Sequence, residues 1–500
     1  MGLSPPQHII VARRSPIAQL FFTDPASLHR TATIDGVVHG LTAEEIAAAE
    51  TLGLVEGMPF VLRDDGGYDH QLNRFLRSCP TMGVRSINSV RAYARDIVVW
   101  MRFLAEHRNG KSVWQADRDD IAAFHRVRRL SEPPYRISAA SWNRAVAALD
   151  KLYRWARDEK LISEMPFTYR QSWVRSVPNG SLQAVSANCA REPGARKGDM
   201  RFLDLDRYLL FRDVGLRGRM PGGEEDPAWR GRHGERNALF AELLITTGLR
   251  LQEASSLLMC ELPRPARDDP SIRSMPFRLA AATAKGGRGR EIRLPVRLLK
   301  QLGDYARVER ENAVHRGRDD HCKRKIERPL TATVDSRRSL RIPRGGRDVA
   351  VSTDQLTPGE RARLVDANTG DPLALWLTET GQPMTMAAWE AVFMRASSRC
   401  QALGLEIDVT PHMLRHSFAV NMLALLLREQ VAWTVSSDAA GVGSAYRRLI
   451  GDPLLKLQRL MGHSRIESTY IYLDHLDDAQ AIVEAAVDQW GLELARDDAA

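Results

Sequence analysis

Cysteine is scarce and unpatterned in this chain. Its five residues (Cys79, Cys189, Cys260, Cys322, Cys400) are odd in number, widely spaced and without a C-x-x-C pair. That argues against a disulfide framework and a cysteine-built zinc site, and makes a reducing cytosol the default. Long apolar runs are lacking too. None nears the roughly 18 residues a membrane-spanning helix needs, and Met422 to Leu427 is among the longest. No signal peptide is recognisable, and Pro6 stands where a myristoylation signal wants Ser or Thr. The expectation is a soluble cytoplasmic protein without a membrane partner. Lysine is thin as well, so arginine supplies most of the 71 basic residues that outweigh 62 acidic ones and leave a net charge of +9. A cationic excess favours a polyanionic partner but says nothing about fold. Arginine suits phosphate through its planar fork, although a GC-rich genome produces the same bias.

At 500 residues there is length for two or three domains. Residues 1–80 carry a capped helix start at Thr42 and Glu45 but little else, and read as an extension of unknown role. From Ser86 the pattern turns helical: Ile87, Val90, Ala94, Ile97, Met101 and Leu104 recur at three- and four-residue steps. A shorter helix opens at Asp119-Asp120, and a third carries Trp142, Val146, Leu149, Tyr153 and Ala156 on one face. A compact helical domain over 81–168 is expected. The turn signals Pro178-Asn179-Gly180-Ser181 and Glu192-Pro193-Gly194 mark 169–200 as a linker, with a last domain over 201–495.

The chemistry-bearing residues concentrate in that last domain. Pro411-His412-Met413-Leu414-Arg415-His416-Ser417-Phe418-Ala419 is answered by Leu460-Met461-Gly462-His463 and Tyr472. His412 and Arg415, spaced i, i+3, project from one helix face, and imidazole beside guanidinium suits an anionic site. A nearby phenol can attack phosphorus and form a covalent ester. Taken singly these are ordinary features. H-x-x-R is usually a solvated face, and Tyr470 and Tyr472 can both be half-buried aromatics. His412 and His416 are spaced like a metal pair, but Met413 stands where a zincin has Glu, so no metal is expected. Upstream, Thr247-Gly248-Leu249-Arg250-Leu251-Gln252-Glu253 places Gly at a helix end, where it commonly turns left-handed, with Glu253 one turn beyond Arg250. Lys285-Gly286-Gly287-Arg288-Gly289-Arg290 reads as a tight hairpin turn between extended flanks.

In conjunction these motifs resemble the tyrosine recombinase (phage integrase) family, whose boxes run T-G-L-R-x-x-E, K-G-x-K-x-R-x-x-P, H-x-L-R-H-x-F-A and G-H-x-x-x-x-x-T-x-x-Y. The likeness covers roughly residues 85–490, and its specific motifs lie in the last 250 or so. It implies a mainly α fold with a small β-sheet in the catalytic domain, preceded by a helical, SAM-like core-binding domain. The intervening linker would let the two close on DNA as a C-shaped clamp. Arg91, Arg95, Arg144 and Lys151 are its candidate phosphate contacts, though any one is more often a plain surface charge. The implied catalytic set is Arg250, Lys285, His412, Arg415, His463 and Tyr472, with Glu253 supporting Arg250.

In that scheme the arginines hold the nonbridging oxygens and Tyr472 attacks to leave a 3′-phosphotyrosine. Lys285 protonates the leaving 5′-oxygen, and His463 hydrogen-bonds the phosphate. His412 is the best-placed group to take the phenol proton. Tyr470, two residues away along a helix, faces elsewhere. The phosphotyrosyl bond conserves ester energy, so no cofactor or metal is implied. The partners implied are double-stranded DNA at specific recombination sites, a homo-tetramer on DNA, and accessory proteins, in the bacterial cytoplasm at the nucleoid. Integration, excision and transposition are the roles implied; a type IB topoisomerase and a silent DNA-binding protein are the alternatives.

Three departures stand against the pattern. Pro295 falls late, so Arg288 and Arg290 are alternatives for Lys285 and otherwise DNA contacts. Residues 300–370 form an Arg-rich insertion, either a DNA-facing loop or a solvated charge run. Residues 430–450 look like a second insertion, an extra loop or short helix. Beyond Tyr472, an amphipathic helix through Ala481, Val483, Val487 and Trp490 is expected to pack on its own domain or on a neighbouring protomer.

Overall fold

The computed structural model describes residues 18–476 other than 25–27, 29–30, 35–36, 52–54, 64, 134, 176–181, 193–199, 265–270, 319–325, 345–346 and 437–451. Contacts divide the chain into two units, Met1–Asp199 and Met200–Ala500. Both are mainly helical with small sheets. Among the described residues no helix is long and apolar enough to cross a membrane.

In the first unit the two long periodic segments are helices, Ile87–His107 and Ala139–Asp158. Each starts just after a serine, and the Ser138 hydroxyl accepts the Ser141 amide. A shorter helix, Arg118–His125, is capped by Asp117. The apolar stripes meet in one core in which Trp100 meets Phe124 edge-on at 4.9 Å. Polar atoms enter this core only with partners: Trp100 Nε1 donates to the Tyr153 hydroxyl (2.7 Å), which donates to the Val113 carbonyl (2.9 Å).

Two boundaries differ from the sequence reading. Ala18, Val61, Leu72, Phe75 and Leu76 are buried in this same core, through the antiparallel strands Ala18–Phe22 and Pro59–Arg63 and the helix His70–Ser78. Much of the expected extension is therefore structurally part of the helical unit. The expected linker holds an antiparallel hairpin, Tyr169–Arg175 against Leu182–Asn188. It is tied to the Ala139 helix where the Tyr169 hydroxyl (2.6 Å) and Asn188 Nδ2 (2.9 Å) both donate to Asp150. A Pro-Asn-Gly-Ser signal marks the end of a hairpin as readily as a linker; those four residues lie outside the described ones.

The second unit is built around Phe240 of the helix Gly234–Thr247. Its ring stacks on Trp389 of the helix Met386–Ala402 at 3.6 Å, with Trp376 edge-on to both. Against this core lies the antiparallel hairpin Ser274–Leu279/Arg290–Pro295. The turn is not a tight one. Residues 280–289 connect the strands through a short 3-10 segment, Ala281–Thr283, and two left-handed glycines, Gly286 and Gly287.

Residues 300–370 are not an irregular loop. The region contains the helix Glu311–Arg318 and a whole four-stranded sheet. Its order is Arg347–Ser352, Ser339–Arg344, Leu330–Ser336, Leu364–Asp366, the last pair parallel. Leu340 and Ile342 alternate inward into a small core of its own, a period-2 pattern that the abundance of arginine obscures. Many of those arginines are engaged: Arg338 with Asp354, Arg341 with Asp335, Arg318 with Asp371, and buried Arg310 with the Ala374 and Pro372 carbonyls. In the second insertion the helix Pro411–Ser436 runs on past residue 430, and the remainder lies outside the described residues. So does the helix expected through 481–490.

Candidate active site

Two left-handed glycines set the geometry. Gly248 ends the Gly234–Thr247 helix with φ 63°, and a Cβ there would stand 2.3 Å from the Phe418 ring. The chain then turns so that Arg250 caps the short helix Leu251–Ser255. Gly462 ends the helix Pro453–Met461 with φ 63°, and its Cβ would fall 2.9 Å from Arg290 Cδ. Each glycine permits a close approach beside a candidate site residue, Arg250 in one case and His463 in the other.

Arg415, 2% exposed, donates to the carbonyls of Gly248 and Met461, and so ties both glycine junctions to the Pro411 helix. Burial, and then the nearby Arg250 charge, pull its guanidinium down to about 9, as expected of a cation taken out of water beside another cation. The counter-charge present is Glu253, which accepts the Arg250 backbone amide (2.8 Å) and side chain (2.9 Å). Burial opposes ionisation of Glu253, but hydrogen bonds and charge from Arg290 prevail and hold the carboxyl at about 2.

Arg250, His412 and Arg415 line one end of a cleft of about 470 Å³, with Glu390 and Asp408 also in its wall. His412 is exposed, and its imidazole is pushed down by desolvation and then by Arg415, Arg250 and Lys285. Lys285 is exposed midway along the connection between the hairpin strands, and Arg288 is exposed further along it. His463 is driven down to about 4 by burial and then by Arg415 and Arg250. Its Nδ1 is 3.0 Å from the Thr469 hydroxyl.

The two tyrosines separate clearly. Tyr470 is 47% exposed, whereas Tyr472 is 2% exposed and packs with Phe418, Leu457 and Met461. Burial raises the Tyr472 phenol against the pull of Arg415 and Arg250. Its hydroxyl lies 3.2 Å from His416 Nδ1. The structure thus gathers Arg250, Glu253, His412, Arg415, His463 and Tyr472, with Lys285 close enough for its charge to act on His412.

Other expected contacts are spent elsewhere. Arg290 is not a surface contact: the alternation of its strand turns it inward, where it donates to both Glu253 oxygens (2.8 and 2.7 Å) and to the Leu460 carbonyl (2.8 Å). In the first unit Arg144 forks onto Asp96 (2.9 and 3.0 Å), and Lys151 donates to the Met82 carbonyl (2.7 Å). Arg91 donates to the Gly57 carbonyl (2.7 Å), and both Arg91 and exposed Arg95 lie over the Phe22 ring. Sequence reasoning passed over two residues at the centre of the site. His416 was weighed only as a metal ligand, although its i, i+4 spacing already put it on the His412 face. Thr469 carries no local signal beyond its place in the last box.

A profile of the phage integrase N-terminal SAM-like domain matches residues 72–160. Tyrosine recombinase XerC of Bradyrhizobium diazoefficiens is 22% identical over 431 residues, covering 85% of this chain and 93% of its own. Tyrosine recombinase XerD of Mycobacterium leprae is 22% identical over 389 residues, covering 77% and 86%. Among solved structures, XerH site-specific recombinase bound to palindromic difH substrate aligns over 83% of this chain and 84% of its own, at 15% identity and a TM-score of 0.45.

Proposed function

Since the chain belongs to the tyrosine recombinase family, we propose that it is a site-specific DNA recombinase that cuts and rejoins strands through a 3′-phosphotyrosyl intermediate. The observation that supports this most directly is the convergence of Arg250, His412 and Arg415 on one cleft, with buried Tyr472 held beside that constellation. In this reading the two arginines clamp the nonbridging oxygens of the scissile phosphate and stabilise the charge of the pentacovalent state. Glu253 orients Arg250 from behind. His412 and His463 hydrogen-bond the phosphate, and exposed Lys285 donates a proton to the departing 5′-oxygen. Tyr472 forms the new phosphate ester as the bond to the 5′-oxygen breaks, and attack by a 5′-hydroxyl of a partner strand completes the exchange.

The partner is double-stranded DNA at defined sites, with a homo-tetramer assembling on it and accessory proteins assisting. The cellular role is integration, excision or transposition of a mobile element. Exposed Lys285 and Arg288 are the DNA contacts from the hairpin; Arg95 and Arg144 are the exposed ones among those named in the first unit.

The test is a nicked duplex whose sequence is first selected from a random pool by binding to the protein. Incubation without added metal should give an SDS-stable protein–DNA adduct that Tyr472→Phe abolishes and Tyr470→Phe retains. An adduct lost only with Tyr470→Phe would move the nucleophile. Tight binding with no adduct would favour a silent DNA-binding protein, and relaxation of supercoils by a monomer would favour a topoisomerase.

A further inference from the structure

Tyr472 is 2% exposed, so a protein side chain is better placed than bulk water to take its phenol proton when it attacks. A general base must lie within about 2.6–3.2 Å of the proton it removes. The hydrogen-bond partner of the Tyr472 hydroxyl is His416 Nδ1, at 3.2 Å, not His412, the acceptor expected from the family resemblance. His463 lies nearly parallel to the phenol, 13° between planes and 6.1 Å between centroids, and its Nδ1 meets the Thr469 hydroxyl rather than the phenol. His412 packs edge-on against His416 at 4.4 Å and faces the cleft.

We propose that His416 is the catalytic proton acceptor for Tyr472, leaving His412 to the phosphate. This rests on the strand-cleavage reading above. As the Tyr472 oxygen–phosphorus bond forms and the bond to the 5′-oxygen breaks, the phenol proton passes to His416 Nδ1. The 5′-oxygen takes a proton from Lys285. The reverse transfers serve religation, so protons and charge balance over the cycle. The titratable and charged groups around the Tyr472–His416 pair are His412 and Arg415 on the same helix, Arg250 at the Gly248 junction, and His463.

A merely structural His416 that anchors the Tyr472 ring is distinguished by His416→Asn. The amide reaches the position of Nδ1 and keeps the hydrogen bond but cannot take a proton. Adduct formation on the selected nicked duplex would be timed across a pH series for the unaltered protein, His416→Asn, His416→Ala and Tyr472→Phe, with DNA binding followed in parallel. Both His416 variants should bind DNA normally and lose about 100-fold or more in cleavage rate near neutral pH. Their rates should climb more steeply with pH than the unaltered protein's, because the phenol must then lose its proton to solvent. His416→Asn cleaving within about threefold of the unaltered protein, with the same pH profile, would overturn the assignment, since general-base loss costs far more than that. No adduct from the unaltered protein would instead remove the strand-cleavage reading itself, and this assignment with it.

Discussion

The second unit holds two buried Arg–Glu pairs of nearly identical geometry and opposite use. Arg361 forks onto Glu261 at 2.8 and 2.7 Å; Arg290 forks onto Glu253 at 2.8 and 2.7 Å. Around Arg361 the remaining partners are carbonyls, those of Leu356, Ser256 and Thr353. One cation meets one anion, and the pair fastens the inserted sheet to the rest of the unit. Around Glu253 the balance is different. The same carboxylate faces Arg290 and Arg250, with Arg415 close by. A closed ion pair is a fastener. One carboxylate shared among several guanidiniums leaves a positive residue of charge at the cleft, which a phosphate can complete.

The comparison can be broken most severely at the carboxylates. Glu253→Gln and Glu261→Gln each strand a buried guanidinium and should each cost about 3–5 kcal/mol of stability, measurable by denaturant unfolding. Only Glu253→Gln should also lower the rate of adduct formation per folded molecule, because only that carboxylate holds Arg250. Replacing Arg361 and Glu261 together by apolar residues of similar volume should recover most of the stability with cleavage intact. The matching double replacement of Arg290 and Glu253 should leave cleavage impaired even where stability returns.

A smaller effect tests the charge excess directly. Sulfate or phosphate bound at the cleft should raise the melting temperature in a concentration-dependent way, by the equivalent of about 2.7 kcal/mol at one hundred times the dissociation constant. Arg250→Ala should abolish that rise, whereas Arg338→Ala in the inserted sheet should not. Equal stabilisation of both variants would mean the anion binds elsewhere.

A last effect is in acid. His463 binds its proton only near pH 4 when folded but near 6.5 when unfolded. The unfolded state therefore binds more protons between those values, and stability falls as the pH drops from about 6.5 toward 4. Glu253 adds a loss in the adjoining window below about 4.5, as pH falls toward the folded value near 2. His463→Gln should flatten the upper window and leave the lower one. An unchanged slope between pH 4 and 6.5 would show that neither burial nor the nearby cations depress this imidazole.

How far the site was legible can be followed residue by residue. Spacing along a helix put His412 and Arg415 on one face. Gly248 before Arg250 announced the turn at that junction, and Thr42 with Glu45 announced a cap that the structure contains, the Thr42 amide donating to Glu45 at 2.8 Å. Arg290 could not be read in the same way. In a stretch with arginine at 288, 290 and 293, only the strand register against Ser274–Leu279 decides which side chain turns inward. The inserted sheet was hidden for a related reason: alternation of Leu340 and Ile342 is brief, and its arginines suggested solvent or DNA until their partners were visible.

The sequence by itself determined what depends on neighbours within a turn or two: the long helices, the glycine junctions, and the residue types of the boxes with their order along the chain. Tertiary structure alone decided which imidazole meets Tyr472, because His416 and Tyr472 are 56 positions apart. Their meeting depends on how the Pro453–Met461 helix and the segment after it pack against the Pro411 helix. Local periodicity selects a face. What that face touches is settled by packing over long sequence separations, where burial and hydrogen-bond geometry act together.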